Sequence, residues 1–159
     1  MNLPNILLWG FVATVIQTTL GAGSLRFGLS RMSVPFMLGT IFTADRDRAT
    51  LIGFGVHMLN GWLFALVYGL IFESLGRATW YIGGTLGLFH SLFVLLVAVP
   101  LLPAVHPRMA SERHGPETTG GLEPPGLLAL HYGYWTPLVA VLAHLVYGTV
   151  LGAFYTLSA

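Results

Sequence analysis

The chain has 159 residues, of which 55% are apolar and 8% charged, and its mean hydropathy is +0.76. A soluble domain carries roughly a quarter of its residues as charged side chains, so this chain cannot clothe a globular surface in polar groups and lipid must cover it instead. A net charge of +1 without a basic cluster gives no nucleic-acid footprint, and the absence of cysteine excludes disulfides, thiolate zinc, iron–sulfur sites and cysteine catalysis.

A membrane-crossing helix needs about 20 predominantly apolar residues. Four segments meet that requirement: about 5–23, about 49–72, about 80–102 and about 136–157. None holds Asp, Glu or Arg in its interior, apart from the ends. The sequence therefore predicts an all-α membrane protein, a bundle of four transmembrane helices forming one domain over residues 1–159. Nothing basic follows Met1, so the first segment lacks the positive leader of a cleaved signal peptide and reads as a retained helix.

All seven basic residues are arginines, which suggests a bacterial source with a GC-rich genome. Arg26, Arg31, Arg46 and Arg48 follow the first span, Arg108 and Arg113 follow the third, and only Arg77 falls between the second and third. The positive-inside rule then puts both long connections in the cytoplasm and both termini outside, in a bacterial inner membrane.

Between the first two spans lies "SVPFMLGTIFT", residues 33–43, which is apolar but too short to cross. Ser33 can cap a short helix, Pro35 suits its first turn, and Val34, Met37, Leu38 and Ile41 share one face. A short interfacial or re-entrant helix is expected there. Asp45 and Asp47 stand where the second span begins, favourable for the positive end of its dipole. Gly76 reads as a left-handed cap at its end, and Glu73 is expected to pair with Arg77 four residues on.

The connection 104–135 is the polar part of the chain, and its Pro-, Gly-, Ser- and Thr-rich centre is expected to be extended or mobile. Its aromatic end places Tyr132, Tyr134 and Trp135 at headgroup level, leading into the last span. His106, Glu112, His114, Glu117, Glu123 and His131 in this stretch match no zinc signature, so they read as solvated loop residues.

The second and fourth spans repeat a pattern in steps of four. Gly53, His57, Gly61, Ala65 and Gly69 form one row, and Ala140, His144, Gly148 and Gly152 form the other, with Tyr68 and Tyr155 each eleven residues after the histidine. The third span adds Gly83, Gly87 and Ser91, with His90 beside them. Residues four apart stack on one helix face, and small residues let helices in lipid pack backbone to backbone. The rows therefore read as packing faces.

The histidines admit more than one reading. At 1.5 Å per residue, His57 and His144 each lie roughly 12 Å inside the membrane and His90 roughly 20 Å deep. An intramembrane ionisable side chain marks a functional site by default. Neutral imidazoles could join helices through Asn60, Tyr147 or Gln17. His57 and His144 could instead ligate haem b, or the three could hold a metal or handle protons or a small solute. The metal reading lacks a membrane carboxylate, and the depths differ. No cofactor follows from the sequence.

Nucleophile elbows, P-loops and dinucleotide fingerprints are missing, since no strand precedes "GAGSLRFG" at 21–28. The leading expectation is a non-enzymatic accessory or structural membrane component, surrounded by lipid and associating with itself or with other membrane subunits. With "MLGT" (37–40), "DRDRA" (45–49), "HMLNGW" (57–62) and "HLVYGTVLG" (144–152) in view, the chain resembles a class of small bacterial membrane proteins catalogued as domains of unknown function. These have a polar loop before a closing H-x-x-Y-G-x-x-x-G helix. The resemblance implies the four-helix fold and a membrane location, and assigns no residue a catalytic role.

Overall fold

The computed structural model describes residues 1–111 and 121–158. It contains four helices long and apolar enough to cross a membrane: α1 (Leu3–Arg26), α3 (Arg46–Leu75), a composite helix over Trp80–Val105, and α6 (Thr136–Phe154). A short helix, α2 (Val34–Gly39), follows α1. The composite helix comprises α4 (Trp80–Phe93), one π turn (Val94–Ala98) and α5 (Val99–Val105). All described elements are helical, apart from an isolated bridge between Met109 and Leu122. The all-α fold class follows.

Local chemistry sets the boundaries. Asn2, Ser33, Asp45 and Thr79 cap α1, α2, α3 and α4, each with a side-chain oxygen accepting an amide of the first turn. Gly76 ends α3 with φ 63°, a left-handed conformation that costs glycine nothing. Pro100 lacks the N–H that would bond back to Leu96. The ladder accordingly slips to the fifth residue, with Val99 N–H on the Val94 carbonyl.

Between 17% and 28% of each apolar window is buried inside the chain. Leu7, Leu63, Leu96 and Leu142, each more than half exposed, belong to a predominantly apolar outer surface. This is the profile of a bundle solvated by lipid rather than water. Within the bundle, α6 lies antiparallel to both α1 and α4, α1 lies against α3, and α2 is docked on the first turns of α3. The main core gathers Ile6, Ala13, Ala65, Tyr68, Phe72, Tyr147 and Leu151.

Three expectations need correction. Glu73 does not pair with Arg77: the left-handed Gly76 turns the chain before Arg77 can complete the helical spacing. Glu73 instead accepts from the Tyr155 hydroxyl at 2.7 Å and from the Ser158 amide and hydroxyl at 2.9 and 2.8 Å, with the Met1 amine 3.6 Å away. The last helix stops at Phe154, because Tyr155 turns extended and Thr156 bonds to the Asn5 side chain.

Tyr132 is buried with Met37 and Met109, its hydroxyl donating to the Glu123 carbonyl at 2.7 Å, while Tyr134 and Trp135 remain exposed. Only the latter two suit an interfacial anchor. The expected extended centre of this connection, with Glu112, His114 and Glu117, lies outside the described residues.

Candidate functional site

The small-residue rows meet neighbours at close range, though not each other across α3 and α6. On α3, Gly53 abuts the Pro35 carbonyl of α2, Gly61 abuts Thr14, Ala65 faces Gly10 and Gly69 faces Ile6. On α6, Gly148 and Gly152 press on Gly83 of α4, and Gly87 presses on the carbonyl of His144. A methyl group at Gly83 would overlap the Gly148 carbonyl. Ala140 accepts the hydrogen bond of His144 and packs beside Leu95, Val99 and Ala129.

These contacts bring the three intramembrane histidines together. The His90 and His144 ring centroids are 4.6 Å apart, nearly perpendicular, and Phe64 stacks on His90 at 3.8 Å. His57, on α3, lies nearby. His90 is thus level with His144 rather than deeper. Counted from the helix ends His90 differs in depth from the other two, but α5 runs on beside the 3₁₀ stretch Leu127–Tyr132 that precedes α6, with Ala129 packed on Leu95 and Val99. The two helices begin at different heights, which cancels the difference.

Hydrogen bonding fixes some of the tautomers. A carbonyl can only accept, so the 2.7 Å contact of His144 Nδ1 with the Ala140 carbonyl places the proton on Nδ1 and leaves Nε2 as an acceptor. His90 Nδ1 lies 3.4 Å from the Tyr68 hydroxyl. Tyr147 donates to the Gly61 carbonyl at 2.5 Å, tying α6 to α3. His57 and the buried Gln17 have no hydrogen-bond partner among the described residues. Asn60 is exposed on the outer face of α3 and does not reach the histidines.

Among the described residues no group of three His, Cys, Asp or Glu side chains is arranged to hold a metal ion. Haem b between His57 and His144 would need a porphyrin's width beside the His144 ring. The glycine contacts draw α6 against α4 instead, and His90 flanks that ring.

Two residues outside the spans organise the face carrying the long connections, and composition alone gave no sign of them. His106, expected among the solvated loop residues, is instead fully buried, because both ring nitrogens find backbone partners. Its Nδ1 accepts the Arg108 amide at 3.1 Å, so Nε2 carries the proton and donates to the Met37 carbonyl at 3.0 Å. Arg108 donates to the carbonyls of Thr40 and Ile41 at 2.7 and 3.1 Å. Together they fasten the second connection to α2. The spacing H-x-R after a span was the available signal, but its partners lie nearly 70 residues away.

The fold and its aromatic–histidine core define a multi-pass helical membrane protein. Comparison with known proteins brought no matching family model, no matching curated protein and no matching solved structure.

Proposed function

We propose that the protein is a non-enzymatic accessory or structural component of a bacterial inner membrane, working in association with a second copy of itself or another membrane subunit. One observation carries this reading. Asn60 lies fourteen residues from each end of α3 or nearly so, about 21 Å along it, where its exposed carboxamide has no partner among the described residues. An unbonded amide in hydrocarbon is costly, and a polar contact from a neighbouring helix removes the cost at about 0.6–2 kcal/mol gained.

The histidines fit the same role as internal joints, since His90 is packed between rings and His144 is bonded to its own helix. Six of seven arginines flanking one set of helix ends favour an orientation with the long connections in the cytoplasm and the termini outside.

Native extraction followed by crosslinking and mass spectrometry tests the reading. The wild-type chain is expected in a defined assembly, and Asn60→Leu is expected to reduce that assembly about tenfold while the monomer stays folded. An assembly unchanged in Asn60→Leu, or a monomer throughout, removes this reading.

A second reading rests on His57, which has no hydrogen-bond partner among the described residues, and on the acceptor Nε2 of His144: a station for protons or a small polar solute. Proteoliposome flux that falls in His57→Gln, with the fold intact, would favour it.

A further inference from the structure

At the face carrying the long connections, a cleft of about 320 Å³ opens between the end of α1, α2 and the first turns of α3. Its walls are of two kinds. Leu25, Phe36 and Met37 are apolar, and Arg31, Arg46 and Ser33 are polar. The polar groups present free donors. The Ser33 oxygen accepts the Phe36 amide, which leaves its hydroxyl proton available.

Arg46 lies over the Phe36 ring at 5.4 Å and has no carboxylate partner among the described residues. Asp45 and Asp47 flank it in sequence but do not line the cleft, and Asp45 is engaged by the Arg48 amide. Arg31 uses one nitrogen on the His131 carbonyl. Its ion pair with Glu123, at 3.6 Å, joins side chains 69% and 51% exposed and is therefore weak and replaceable.

The cleft thus offers two guanidiniums and a hydroxyl to an anion, at the level where α1 ends and α3 begins, beside an apolar wall of Leu25, Phe36 and Met37. We propose that it binds the phosphate-bearing headgroup of an anionic phospholipid. Arg31 and Arg46 take the phosphate oxygens, Ser33 donates to the glycerol side of the headgroup, and the acyl chains leave over Leu25 and Phe36. Basic pockets between membrane helices recognise headgroups on these terms, and guanidinium groups match phosphate oxygens in pairs. A free phosphate shares the polar half of this chemistry but has no use for the apolar wall.

The test uses the full chain purified in neutral detergent and equilibrated with equal amounts of phosphatidylglycerol and phosphatidylcholine, with retained lipid counted by native mass spectrometry. The wild type is expected to retain phosphatidylglycerol preferentially. In Arg31→Gln/Arg46→Gln that preference should fall about thirtyfold, while Arg77→Gln at the opposite end leaves it unchanged. Thr50→Glu, which puts a carboxylate in the cleft and keeps both arginines, should lower it as well. Equal retention of the two lipids by the wild type overturns the proposal, as does an unchanged preference in a folded Thr50→Glu variant. Displacement of the lipid by millimolar inorganic phosphate overturns the lipid assignment in favour of a free-anion site.

Discussion

Single atoms decide the contact between α4 and α6. Gly83 and Gly148 face each other with no room for a methyl group on either, and Gly87 does the same to the His144 carbonyl. Gly83→Val is therefore expected to force the two backbones apart at a cost of about 1–3 kcal/mol or more, read as loss of the monodisperse peak in detergent. Gly55→Val, on the open face of α3 where nothing lies within 4 Å, should leave that peak intact. This much was legible in the sequence, because a step of four in small residues has one geometric meaning on a helix. Which neighbour each row would meet was not. Gly61 meets Thr14 rather than another glycine, and the level of His90 depended on how far its own helix runs on beside the stretch before α6, a quantity set by packing.

At the scale of elements, the caps at Ser33 and Gly76 and the helix start at Asp45 were readable because each uses residues within four positions of itself. The end of the last helix, the burial of Tyr132 and the fastening of His106 were not, since all three rest on partners far along the chain. Tyr132 offers a test of that long-range docking. Burial, then the Glu123 carboxylate, raises its phenol above the ordinary tyrosine range.

The folded state therefore holds the Tyr132 proton to higher pH than the unfolded chain, whose tyrosines titrate near about pH 10. The stabilisation is fully present below that pH and is lost as pH rises through the folded value. Thermal unfolding followed from pH 8 to 11.5 should show a fall above pH 10 that is shallower in Tyr132→Phe. The same alkaline slope in both proteins would mean that this docking contributes nothing to stability.

For the whole molecule, membrane character follows from composition, and the four spans appear where apolar length places them. The chain encloses little of its own surface, so its behaviour depends on what lies against it: lipid over most of the outer face, the partner inferred at Asn60, and the headgroup inferred at Arg31 and Arg46.

The four helices are also held by two different kinds of joint. α4 and α6 touch through glycine backbone, so their separation can change only if main chains move. α3 reaches α4 through side chains, Phe64 and Tyr68 against His90 with the Tyr68 hydroxyl 3.4 Å from His90 Nδ1, and the Tyr147 hydroxyl ties it to α6. Ring joints adjust by side-chain rotation on far shorter timescales than helix displacement. The bundle thus has a main-chain seam between α4 and α6 and a side-chain seam between α3 and α4, and His90 stands where the two meet.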